Sequence, residues 1–212
     1  MLLEDKLDLT RKERERERHR IEMLNAAERV FTRKGYHSAT VEEIARESEF
    51  AVGTLYNFFK GKDDLYEKVV IKNMEELSSR IEDQVLSRMD PEQAVAAMIN
   101  LSLIHFEEHK GFARVFFETT PGTRFDPVQA LPDICHELYE NHVKNMTSIF
   151  EKGIQQGCFK KIDPLYLTLL LDSTINAFIS YWSRRNYDET MDKRIEKVQK
   201  AFLELIRPAE TT

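Results

Sequence analysis

The sequence predicts an all-α protein of about nine helices, in which an N-terminal three-helix helix-turn-helix domain precedes a larger C-terminal helical bundle. Three observations predict it. Glycine and proline are scarce, 7 and 6 in 212 residues. Apolar residues recur three and four apart, the spacing of a helix with one buried face. Helix start and stop signals punctuate those stripes, among them Thr40 with Glu43, Asp90-Pro91, Gly35 and Gly157. A length of 212 residues is enough for one large or two small domains with a proper core. The division expected is 1–62 for the helix-turn-helix domain and 63–212 for the larger helical domain.

Residues 11–20, RKERERERHR, alternate in sign, which predicts a solvated helix face with local ion pairs; the alternative is an arm reaching the DNA backbone or minor groove. Ile21, Leu24, Ala27 and Phe31 then form a stripe that stops at Gly35. Thr40 and Glu43 make a capping box, with Ala39 and Ile44 at staple positions, so a helix starts at about Val41. Its stripe of Val41, Ile44 and Ala45 breaks at Ser48-Glu49. Val52, Leu55 and Phe59 restart it, leaving Gly53, Thr54, Tyr56 and Asn57 on the other faces of a second short helix. An α-helix fits the major groove of B-DNA, where Val52, Thr54 and Asn57 are suitable types for touching base edges.

Lys60-Gly61-Lys62 breaks the pattern again, and Asp63-Asp64 suit the first turn of a helix running to about Met89. Asp90-Pro91-Glu92-Gln93 starts the next, which carries Val95, Met98, Ile99, Ser102 and Phe106 to about Gly111. Phe112–Glu118 reads as a short apolar helix and 121–127 as a long loop, a candidate lid. A helix from Pro132 to Gln156 stops at Gly157. Asp163-Pro164 caps another, to about Arg185, that is apolar on nearly every face and therefore expected to be buried on every face. In the last helix Met191, Ile195, Val198, Phe202 and Leu205 follow a coiled-coil a/d spacing. Those two helices predict a two-fold four-helix bundle, with Ile175, Ile179, Ile195, Val198, Phe202 and Leu205 at a homodimer interface.

The residues TVEEIA, GTLYNFF and Lys62 with its acidic neighbours and Leu65 resemble the DNA-binding domain of the TetR family of transcriptional repressors, over about Ile21 to Tyr66. The resemblance implies an all-helical homodimer whose first three helices bind operator DNA and whose bundle binds a small effector. It further implies that Thr40, Tyr56 and Lys62 hold phosphates while Val52, Gly53, Thr54 and Asn57 face the bases. Two positions depart from the family pattern: Glu49 stands where the turn usually has glycine, and Ala51 where the recognition helix usually has a serine cap.

The net charge of −6 lies outside this region. Residues 1–72 carry 15 basic and 15 acidic side chains, and the other 140 carry 16 and 22. Attraction to phosphate must come from local clustering of Arg18, Arg20, Arg33, Lys34, Lys60 and Lys62. Neither a signal peptide nor a membrane span is evident, so a cytoplasmic protein with no membrane partner is expected. Cys135 and Cys158 lack the spacing of a zinc ribbon or disulfide framework.

Aromatic and sulfur side chains concentrate between Asp90 and Trp182, which predicts a small hydrophobic effector held by Met98, His105, Phe106, Phe117, Phe150, Phe178 and Trp182. No cofactor and no catalytic residue is expected. The reading is a ligand-responsive repressor that binds a palindromic operator as a dimer and is released by its effector. The competing one is a helical metal-binding or hydrolytic protein, because His105, Glu108 and His109 fit H-x-x-E-H.

Overall fold

The computed structural model describes residues 10–86, 90–119, 133–182 and 189–209. Among them every regular element is helical: α1 (Arg11–Lys34), α2 (Val41–Glu47), α3 (Val52–Tyr56), α4 (Lys62–Gln84), α5 (Pro91–Glu108), α6 (Lys110–Thr119), α7 (Asp133–Gln155), α8 (Pro164–Trp182) and α9 (Met191–Ile206). The chain divides into two compact units, Met1–Val70 and Ile71–Thr212, with the dividing point inside α4. No described helix is long and apolar enough to cross a membrane.

In the first unit, α1 begins ten residues before its apolar stripe. Thr10 caps it through a complete capping box with Glu13, and the charged run continues as helix with ion pairs such as Arg20 to Glu17 at 2.9 Å. Residues 11–20 are thus a solvated helix and not an extended arm. Met23, Leu24, Ala27, Val30 and Phe31 of α1 are buried together with Ile44, Ala45, Leu55, Phe59 and Leu65. At Gly35 the chain turns with φ 77°, a left-handed value that glycine takes without strain.

The second unit is built on α5, which packs against α6, α7, α8 and α9. Asp90 caps it through the amides of Glu92 and Gln93, with Pro91 in the first turn, as the sequence predicts. The turn after α7 is tied to the end of α9: the Lys160 amide donates to the Ile206 carbonyl at 2.8 Å, and Lys160 Nζ to the Leu205 carbonyl at 2.7 Å. Gly153 lies so close to the buried Phe159 ring that a Cβ there would be 2.2 Å from Cδ2.

The apolar residues of α9 pack within their own chain, and α8 departs from the expected burial on every face. Ile195, Val198 and Phe202 are 2–3% exposed and Ile175 5%, all within the core of the single chain, and Ile179 packs against that core. The a/d seam of α9 packs on α5 of the same chain, while Ile179 is half-buried and Leu205 is 53% exposed. Spacing defines a seam but not whose helix fills it. Nor is α8 buried all round, since Leu165, Tyr166, Leu169, Leu170 and Tyr181 are 40–65% exposed. The lid expected at 121–127 and the helix end at Arg185 lie outside the described residues.

Candidate nucleic-acid interface and effector core

The recognition helix α3 is five residues long, too short to be stable by itself, and is held by burying Leu55 and the following Phe59. Those two anchors turn the rest outward. Gly53, Tyr56 and Asn57 are exposed, Val52 and Thr54 half-buried, and Thr40 is exposed at the start of α2. All seven residues assigned to DNA from the sequence belong to the first unit. Glu49 is the sole described non-glycine residue with positive φ, at 60°, and Ala51 caps α3 with no side-chain hydrogen bond. Both depart from the usual turn chemistry at a physical cost, about 1 kcal/mol for the missing cap and as much or more for the left-handed residue.

Ion pairs hold α2 against α1. Glu47 accepts from Arg29 Nε and Arg33 Nη2, each at 3.0 Å, and Lys34 pairs with Glu43. The guanidinium hydrogen bonds hold the Glu47 carboxyl below the usual carboxylate range, and Lys34 does the same for Glu43. The capping box expected at Thr40 is half formed among the described residues: Thr40 accepts from the Glu43 amide at 3.3 Å, and Glu43 pairs with Lys34 through Oε1 while its Oε2 is buried without a hydrogen-bond partner.

Lys62 is half-buried, with Nζ donating to the His37 carbonyl at 3.2 Å and lying 4.7 Å from the centre of the Tyr36 ring. Tyr36 in turn donates its hydroxyl to Asp63, and its ring packs on Tyr66 at 5.0 Å. Burial, reinforced by the bond to Asp63, raises the Tyr36 hydroxyl to about 12. Sequence reasoning gave Tyr36 no role. An aromatic directly after the Gly35 stop is the signal that was there to be read.

In the second unit Met98, His105, Phe106, Phe150 and Trp182 are buried and Phe178 is partly buried against them. The side chain of Phe117 lies outside the described residues. The Phe178 and Trp182 rings meet at 5.2 Å, tilted by 43°, Arg194 lies 4.7 Å over the Trp182 ring, and Phe150 meets Phe159 at 5.6 Å.

His105 and His109 have their rings 4.6 Å apart at the end of α5, and Glu76 of α4 joins them, with His109 Nε2 3.9 Å from Glu76 Oε2. One ligand atom from each of Glu76, His105, Glu108 and His109 lies within 4.8 Å of all the others. Arg80 bridges the two carboxylates, to Glu108 at 2.7 Å and Glu76 at 2.8 Å. Burial, with His109 adding to it, lowers the His105 imidazole to about 4, so it is neutral at physiological pH. Glu76 sits 29 positions before His105, where no local motif could mark it.

Residues 23–69 match the family described as bacterial regulatory proteins, tetR family. The chain is 30% identical to the HTH-type transcriptional activator FasR of Mycolicibacterium smegmatis over 178 residues, 84% of this chain and 77% of that one. It is 24% identical to the fatty acid metabolism regulator protein of Bacillus subtilis, across 76% of this chain and 82% of the relative. Among solved structures, FadR from Bacillus subtilis in complex with stearoyl-CoA superposes with a TM-score of 0.71 at 20% identity, covering 86% of this chain and 97% of that one. The helix-turn-helix at the N-terminus, the helical second unit and these relatives lead to one assignment: the chain belongs to the TetR family of bacterial transcriptional regulators.

Proposed function

We propose that the protein is a ligand-responsive repressor that binds a pseudo-palindromic operator as a homodimer and is released by a long-chain acyl effector. The observation that carries the DNA-binding half is the surface of α3, whose buried Leu55 leaves Gly53, Tyr56 and Asn57 free to enter a major groove. Tyr56, at 54% exposure, and Thr40 at the first turn of α2 suit phosphates; Val52, Gly53, Thr54 and Asn57 suit base edges. Lys62 contributes by fixing the approach of the α4 start to the His37 carbonyl as well as by its charge.

The effector half rests on chemistry and likeness together. Met98, Phe106, Phe150, Phe178 and Trp182 supply apolar surface without a formal charge, which suits an alkyl chain, and FadR of Bacillus subtilis holds stearoyl-CoA on the same fold. The dimer would form through the uncovered row on α8. Tyr166, Leu169, Leu170 and Tyr181 are exposed, and Ser173 and Ala177 on the same helix are small enough for a second helix to approach closely.

A selection from random duplexes, followed by titration of the chosen site with and without an acyl-CoA series, tests both halves. Enrichment of an inverted repeat is expected, with release of DNA by long acyl chains. A ligand that prefers the released form by about 100-fold provides about 2.7 kcal/mol of coupling, and DNA must weaken the ligand by the same factor. Selection of no inverted repeat would reject the operator reading, and equal acyl-CoA affinity with and without DNA the effector reading. Ligand that strengthens DNA binding would identify an activator-type response instead.

A further inference from the structure

The run His105-Phe106-Glu107-Glu108-His109 ends α5 with two imidazoles one turn apart and a carboxylate beside them, and the fold brings Glu76 of α4 to them as a fourth ligand group. We propose that Glu76, His105, Glu108 and His109 bind a divalent transition-metal ion of the zinc, cobalt and nickel class, fastening α4 to the last turn of α5.

Geometry supports it first. In tetrahedral coordination with bonds of about 2.0–2.1 Å, ligand atoms lie about 3.4 Å from one another. The four groups already stand within 4.8 Å, so side-chain rotations of little more than an ångström would close the shell with no movement of the helices. The second support is independent of spacing. His105 is 7% exposed and among the described residues its Nδ1 is buried without a hydrogen-bond partner, which is costly for an imidazole nitrogen. A cation bound at Nδ1 would remove that cost.

Donor chemistry narrows the ion. Two imidazoles disfavour calcium and magnesium, and the absence of a thiolate from the four disfavours soft monovalent copper. The charge is suitable as well: two carboxylates and the Arg80 guanidinium leave one net negative charge beside two imidazoles. Arg80 holds both carboxylates in place, an outer partner of the kind that orients metal ligands. Four protein ligands fill a tetrahedral shell, which separates this site from hydrolytic zinc centres, where one position stays open for water. The assignment takes His105 out of the effector-contacting group in which its sequence neighbourhood set it.

The full-length chain, stripped with a chelator and desalted, is titrated with cobalt and with zinc chloride by visible absorption and by calorimetry. One ion per chain is expected, with the intense visible bands of four-coordinate cobalt and their loss on adding zinc. His109→Gln and Glu76→Gln, at half-buried positions and checked for an unchanged melting curve, should each weaken binding by about 10-fold or more. His136→Gln, on α7, should leave it unchanged. Absence of four-coordinate cobalt in the wild-type chain would overturn the proposal, as would retention of full affinity by both ligand variants.

Discussion

Arg207, the first residue after α9, closes both arms of its guanidinium on Glu92 in the first turn of α5, Nε to Oε1 at 2.8 Å and Nη2 to Oε2 at 2.7 Å. The pair joins positions 115 residues apart. Its hydrogen bonds hold the Glu92 carboxyl below the ordinary range and raise the guanidinium. With Glu92 31% and Arg207 48% exposed, solvent screens much of that coupling.

Glu92→Gln should therefore cost no more than about 0.5–1 kcal/mol at neutral pH. Since the carboxyl is depressed in the folded chain, its contribution is complete above the ordinary carboxylate range and is lost as pH falls through the folded value. Thermal unfolding of wild type and variant from pH 7 downward should show the two curves converging in acid. A gap that persisted or widened in acid would mean that the pair is not what holds these two ends.

Ala51→Ser should stabilise the start of α3 by about 1 kcal/mol, because serine can accept from an amide in the first turn where alanine cannot. Glu49→Gly should add a comparable amount by relieving the φ of 60°. Urea unfolding gives the sum, and tighter binding to a selected operator is expected alongside it. Loss of stability in Glu49→Gly would show that its side chain makes a contribution larger than the backbone strain.

Leu170→Glu and Phe202→Glu should separate assembly from folding. Leu170 is 40% exposed on α8, so a charge there is harmless to one chain and disruptive between two. Phe202 is 2% exposed in the core, where an unpaired charge is expected to cost several kcal/mol and unfold the chain. Sedimentation with circular dichroism should find folded monomers for the first and loss of helix for the second.

Gly153→Ala should destabilise by about 1–3 kcal/mol. Alanine is the better helix former by about 1 kcal/mol, so an exposed site would respond with the opposite sign. Here the added methyl meets Phe159 at 2.2 Å, and that ring is 2% exposed and cannot swing away. Gly153→Ala combined with Phe159→Leu should recover part of the loss in a denaturant titration.

Local chemistry was legible in the sequence and partnership was not. Asp90-Pro91, Gly35 and Gly157 mark element ends because caps and left-handed turns are settled by neighbours in the chain. The stripe Val52, Leu55, Phe59 revealed which side of α3 is held, and hence which side is free. In contrast, the spacing of Ile195, Val198 and Phe202 is the same whether α5 or a second chain fills the seam. The Thr40 box makes only its first bond, and Glu43 pairs with Lys34, a partner from α1 that the local motif does not include. Glu76 could join His105 and His109 only once α4 and α5 had packed.

The uncovered row on α8 also sets a clock. If two copies must meet to cover Leu169, Leu170 and their neighbours, that encounter is second order, and its waiting time lengthens as the number of chains falls. Newly made chains would pass through a solitary, adhesive stage whose duration depends on how many others are present. At low copy number the fraction of paired chains, and with it the occupancy of a two-fold target, would fall faster than the amount of protein.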